Sequence, residues 1–106
     1  MVDSDWSHAE KKVARRVFEA ALAVELAQVM ADFKARAATI TGPDDMWDME
    51  QYLREKRRAI DTKYDFRYSR LISVFGRLLY EGRIQEEQLA GLAEEKLVDI
   101  RSMMSL

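Results

Sequence analysis

Apolar positions recur along this chain at helical intervals almost from end to end. Between residues 44 and 82 there is no proline, and no glycine before Gly76. Wound at about 100° per residue, Met46, Met49, Leu53, Ile60, Tyr64, Tyr68, Leu71, Phe75 and Leu78 share one narrow face. Arg57 falls on that face between Leu53 and Ile60. A guanidinium in an apolar seam must be paired across an interface or left exposed for a partner. The phase of the stripe predicts one helix, capped by Asp44 or Asp45 and running to about Glu81, continuous or mildly bent. Thr62 and Asp65 offer a second cap should it hinge near 61–65. Gly82 is suited to the C′ position, with Ile84 placed to fold back on Leu78 or Leu79.

Upstream, Ser7 and Glu10 form an S-x-x-E capping box that opens a helix at about His8. The helix is expected to reach Thr41, where Gly42-Pro43 stops it. At 1.5 Å per residue that is about 51 Å, longer than the ~34 Å diameter of a compact chain of this size. Part of it must protrude, and what protrudes is apolar on two sides. Phe18, Leu22, Leu26, Val29, Phe33, Ala37 and Ile40 follow a 4-4-3 spacing, an 11-residue repeat that gives a nearly straight seam. Nearly opposite lie Val13, Val17, Ala20, Val24, Ala27, Ala31, Ala35 and Ala38. A helix on the surface of a monomer needs only one such stripe. The second favours association of two chains, although alanine is also simply the best helix former.

A third helix is expected from about Glu86 to Met103, with Leu89, Leu92, Ala93, Leu97, Ile100 and Met104 inward and Gly91 as a weak point. The pattern predicts an all-α fold in a single domain spanning 1–106. The first two helices make an antiparallel hairpin. A small three-helix head forms from about 8–25 plus 64–104, and residues 26–62 are left as a two-helix stalk. Two stalks would bury each other as an antiparallel four-helix bundle. Val29, Phe33, Met46, Met49 and Leu53 are the candidate dimer-interface residues.

Composition narrows the function. At 106 residues there is room for one modest core, and four Gly with one Pro suit helices. A net charge of −2 gives no general field for nucleic acid. The chain has no cysteine, which excludes disulfides and thiolate chemistry and suits a cytoplasmic protein. Neither a signal peptide nor a membrane span is expected, because apolar runs are short and the start is acidic. The one histidine, His8, has no Glu-x-x-His partner, and no serine is set beside a histidine base. No metal, cofactor or enzymatic activity is expected.

Partner binding is the remaining class. Residues 54–70 carry Arg54, Lys56, Arg57, Arg58, Lys63, Arg67 and Arg70, preceded by Asp44, Asp45, Asp48 and Glu50. Internal or dimer pairing, an acidic protein partner and a phosphate stripe are the three readings. Glu50–Arg54 and Arg57–Asp61 lie at the i,i+4 spacing of ordinary helix pairs. Trp47 shares a flank with Arg54 and Arg58. It is either an interface anchor or the filling of the hairpin corner.

Across nearly the whole chain, Trp6-Ser7-His8-Ala9-Glu10, Asp44-Asp45-Met46-Trp47, Lys56-Arg57-Arg58-Ala59-Ile60-Asp61-Thr62-Lys63-Tyr64-Asp65, Tyr80-Glu81-Gly82 and Glu95-Lys96-Leu97 resemble the fluorescence recovery protein family. The resemblance implies a helical homodimer that binds the photoactivated orange carotenoid protein and speeds its return to the resting form, ending its quenching of phycobilisome fluorescence. Such action is a population shift rather than a catalysed reaction. The resemblance also implies that Trp47 and Arg57 match the family's functional patch and that Met46 lies in its dimer interface. Where typical cyanobacterial members have His-Asp after the tryptophan, this chain has Glu50-Gln51, which joins Arg54 among the candidate partner-binding residues. The altered pair supports a second reading, a helical scaffold or adaptor for another soluble protein.

Overall fold

The computed structural model describes residues 5–104. Its elements are α1 (His8–Ala37), α2 (Pro43–Lys63), α3 (Leu71–Tyr80), a short 3₁₀ turn η1 (Glu86–Leu89) and α4 (Glu94–Met103). There is no β-strand among the described residues, so the fold is all-α. None of their helices is long and apolar enough to cross a membrane. The chain divides into two compact units, Leu22–Lys63 and the remainder, Met1–Ala21 with Tyr64–Leu106.

The larger unit holds the core. Along the first half of α1, Val13, Ala14, Val17, Phe18 and Ala21 form a buried stripe. It joins Leu71, Val74, Phe75 and Leu78 of α3, then Ile84, Leu89, Leu92 and Ile100. The Ser7–Glu10 capping box is realised in both directions: the Ser7 N–H donates to the Glu10 carboxylate at 2.9 Å and the Glu10 N–H to the Ser7 hydroxyl at 3.1 Å. Gly82 closes α3 at φ +73°. The Arg83 N–H reaches the Leu78 carbonyl and the Gly82 N–H reaches that of Leu79, the bond pattern of a Schellman motif.

The continuous central helix expected from the sequence is broken. Helix α2 ends at Lys63, residues 64–67 are irregular, and α3 begins only at Leu71. The reason lies in alternation. On a helix Tyr64 and Tyr68 would share a face and Phe66 would point away from it, whereas leaving the helix lets all three turn to the same side. Here all three rings enter one cluster. Phe18 meets Tyr64 edge-on at 5.5 Å and Phe66 at 4.9 Å, Phe66 meets Tyr68 at 5.6 Å, and Tyr68 meets Trp6 at 5.7 Å. The intervening Asp65 and Arg67 pair with each other instead. Asp65 is therefore no helix cap. Cations finish the cluster, with Arg15 3.9 Å from the Phe66 ring centre and Lys11 5.0 Å from that of Tyr68.

The expected third helix is also divided. Gly91 sits at φ +110°, where a Cβ would lie 2.9 Å from the Val13 side chain. That backbone cannot be helical, so η1 stops at Leu89 and α4 restarts at Glu94.

In the smaller unit α1 and α2 run antiparallel. Glu25 pairs with Lys63 at one end, and Asp32 and Arg36 meet Tyr52 further along. Helix α1 stops at Ala37, short of the expected Thr41, as its last bonds tighten: Thr39 N–H to the Arg36 carbonyl and Ile40 N–H to that of Ala37. Pro43 does not terminate α1; it is the first residue of α2, where its missing N–H costs nothing. From the first turn of α2, Asp45 accepts hydrogen bonds from both the N–H and the hydroxyl of Thr41 at 3.0 Å.

Candidate protein-binding site

Helix α2 is amphipathic by position. Residues 49, 52, 53, 56, 60 and 63 lie on one side, and of these Met49 and Lys63 are buried while Tyr52, Leu53 and Ile60 are half-buried. The opposite side carries Trp47, Gln51, Arg54 and Arg58, at helical spacings of four, three and four, with Glu50 and Arg57 along its edge. Trp47 is 61% exposed. It does not fill the hairpin corner. The hydrophobic effect alone would hide an indole, so one left in water at the start of a charged face is available to a partner.

The charges around it are arranged in local pairs. Glu50 holds the Arg54 guanidinium one turn on. The Gln51 amide donates to Glu55 at 3.2 Å. Arg57 lies 3.8 Å from Asp61, and its side chain is 86% exposed. Its Cα is on the margin of the apolar stripe, and the long side chain carries the charge out to water. Of the two outcomes for this arginine, the chain by itself adopts exposure. The basic run 54–70 is largely neutralised from within, through Arg54–Glu50, Arg57–Asp61, Lys63–Glu25 and Arg67–Asp65.

On the other side of α2, the sequence reading missed two contacts. The Lys63 ammonium, 2.8 Å from Glu25, forms an ion pair whose side chains are only 6% and 12% exposed. The Tyr52 phenol donates to Asp32 while Arg36 stacks 4.1 Å from its ring centre. That hydrogen bond, followed by the charges of Arg36 and Lys56, holds the Asp32 carboxyl below the usual carboxylate range. The same bond raises the phenol of Tyr52. Each pair is far apart in sequence, and the only clue is that its members lie on facing helices either side of the Gly42-Pro43 turn. Near that turn a cleft of about 220 Å³ is lined by Arg36, Ile40, Asp45, Asp48, Met49 and Tyr52, among others. Among the described residues no three His, Cys, Asp or Glu side chains group closely enough to hold a metal ion.

Of the expected dimer-interface residues, Met49 is buried within the single chain and Val29, Phe33 and Leu53 are half-buried. Met46 is 46% exposed, and Val24, Leu26 and Met30 of α1 are exposed as well.

Residues 6–104 match the family model described as photoprotection regulator fluorescence recovery protein. The chain belongs to the fluorescence recovery protein family. It is 40% identical over 104 residues to the fluorescence recovery protein of Synechocystis sp., covering 98% of this chain and 95% of that one. Among solved structures of the family, that of the Synechocystis sp. PCC 6803 protein superposes with a TM-score of 0.89 at 42% identity. That of the Fremyella diplosiphon protein gives 0.88 at 35%, and each comparison covers 95% of this chain and 99% of the other. The family likeness and the all-helical fold therefore hold over the same, nearly complete length.

Proposed function

We propose that this regulatory protein works as a homodimer that binds the photoactivated orange carotenoid protein and accelerates its return to the resting form. The observation that carries this reading is an exposed Trp47 and an exposed Arg57, nearly three turns apart on α2, in a member of the fluorescence recovery protein family. Trp and Arg are the residues that dominate protein interfaces when brought together around a desolvated centre. Preferential binding to one conformer of the carotenoid protein shifts its population without any covalent step, so no catalytic group is needed. The dimer is supported by the smaller unit, where Val24, Leu26, Met30 and Met46 are exposed and Met49 is its one buried apolar residue. A second chain is the natural cover for such a surface. Light scattering is expected to give twice the 12.3 kDa chain mass at micromolar concentration.

Mixing the protein with photoactivated carotenoid protein and following the red-to-orange decay tests the activity. An unchanged rate at saturating excess overturns the proposal. Replacing Trp47 by alanine is expected to weaken the interaction at least about thirtyfold, the loss of a 2 kcal/mol anchor. Arg57→Leu separates binding from folding. Because the side chain is 86% exposed, the melting temperature is expected to stay within about 2 °C while acceleration falls. A large drop in melting temperature would make Arg57 a paired structural charge instead.

The second reading, an adaptor for another soluble protein, is favoured by the Glu50-Gln51 pair, which gives the patch a carboxylate beside its arginines. Pull-down from the source cell discriminates: recovery of the chain alone counts against it.

A further inference from the structure

The acidic residue at the edge of the exposed α2 face has a partner that changes its meaning. Glu50 stands one turn before Arg54, the orientation in which an acidic-then-basic i,i+4 pair is most favourable. Their side chains meet in an ion pair while remaining 53% and 67% exposed. The neighbouring Gln51 does not compete for the guanidinium, because its amide is turned to Glu55. Further along, Arg57 is held only loosely at 3.8 Å from Asp61. Arg54 is thus the cation that lies between Trp47 and Arg57 and is closely clamped. An acidic surface docking over Trp47 would face a guanidinium whose charge is already paired and one of whose terminal N–H donors is held by Glu50.

We infer that Glu50 is a specificity-determining residue that withholds Arg54 from an acidic partner surface. The inference rests on the partner-binding reading above and assigns Glu50 a sign within it: the residue restrains binding rather than contributing to it. A partner with a carboxylate opposite Arg54 must displace Glu50 and leave it facing like charge, which is penalised. A partner that engages only Trp47 and the arginines beyond is not. Selectivity in charged interfaces commonly comes from such a repulsive element.

The test is a double-mutant cycle with Glu50→Gln, Arg54→Gln and the double variant, measured as association with photoactivated orange carotenoid protein at low and at high salt. Glu50→Gln is expected to speed association roughly threefold at low salt, with the gain fading at high salt. On the Arg54→Gln background the gain should vanish, because the effect is transmitted through that guanidinium. An equal gain in both backgrounds overturns the inference, since Glu50 would then act by its own charge; so does a slower Glu50→Gln. If the unmodified chain binds no carotenoid protein, the partner reading fails, and solvent exchange of the Arg54 Nη–H protons by NMR on the chain alone decides the clamp, since a terminal nitrogen of the guanidinium is the donor to Glu50. Slower exchange than in Glu50→Gln supports it, and equal exchange overturns it.

Discussion

Gly76→Ala is expected to lower the melting temperature, although alanine is the better helix former. A Cβ at this position would lie 2.5 Å from the Cβ of Met103 and 3.1 Å from the carbonyl oxygen of Ile100. Helices α3 and α4 cross here with nothing between their backbones. The obstruction is not the movable end of a side chain, so one helix must retreat, and Phe75 and Ile100, both fully buried, lose contacts as it does. Overpacking of this kind costs about 1–3 kcal/mol, against a propensity gain of up to about 1 kcal/mol. Mid-range values leave a net of roughly 1–2 kcal/mol, or about 4–16 °C for a chain of this size. Gly76→Val, with no such compensation, should cost more still. Thermal unfolding followed by circular dichroism at fixed protein concentration is the measurement. Met103→Ala should fail to rescue Gly76→Ala, because it leaves the offending Cβ in place. A raised melting temperature in Gly76→Ala would show that the crossing has room.

Glu10→Gln is expected to produce the other large effect, and one with a pH signature. Glu10 is 7% exposed. Its Oε1 accepts the Ser7 N–H at 2.9 Å and the Lys96 ammonium at 3.3 Å, while Oε2 accepts the Ala93 N–H at 2.8 Å. Burial pushes the carboxyl up, but the Ser7 and Ala93 N–H groups, then Lys96, outweigh it and leave it below its ordinary 4.5. An amide keeps the shape, loses the charge and turns an NH₂ toward one of three donors. Breaking a buried, hydrogen-bonded charge in this way costs about 3 kcal/mol. Because the folded-state value is depressed, this stability is fully present above about pH 4.5 and is lost as pH falls from there through the folded-state value. The gap in stability between Glu10→Gln and the unmodified protein should therefore be widest near neutrality and close in acid. Asp32, Asp45, Asp65 and Glu86 are also depressed, but they titrate alike in both proteins and cancel from the difference. A gap independent of pH would mean that the Glu10 charge does not matter.

Glu10 also marks where a sequence stops being readable. Its bond to Ser7 spans three residues and was legible as a capping box. Its bond to Ala93 spans 83 residues, and no local pattern points to it. The same line divides the candidate site. Pairs one helical turn apart, Glu50–Arg54 and Arg57–Asp61, could be drawn from spacing alone. The Glu25–Lys63 and Asp32–Tyr52 contacts depend on how two helices align, which spacing within either helix does not contain. Trp47 shows the limit from another side. Its position on the Arg54 flank was readable, but whether the turn would bury it was not.

From the sequence come the helical class, the caps at Ser7 and Gly82, the two apolar sides of α1, and the membership that its residues share with the fluorescence recovery proteins. All of these are encoded in periodicity or in residues a few positions apart. The tertiary structure alone decided that the central helix breaks after Lys63 and that Gly91 divides the last one. At 64–68 the helical stripe kept its phase, yet burying Tyr64, Phe66 and Tyr68 together against Phe18 and Trp6 gains more than five residues of helix propensity can offer. Local preference is worth tenths of a kcal/mol per residue and ring burial is worth whole ones, so where the two conflict the distant contacts prevail.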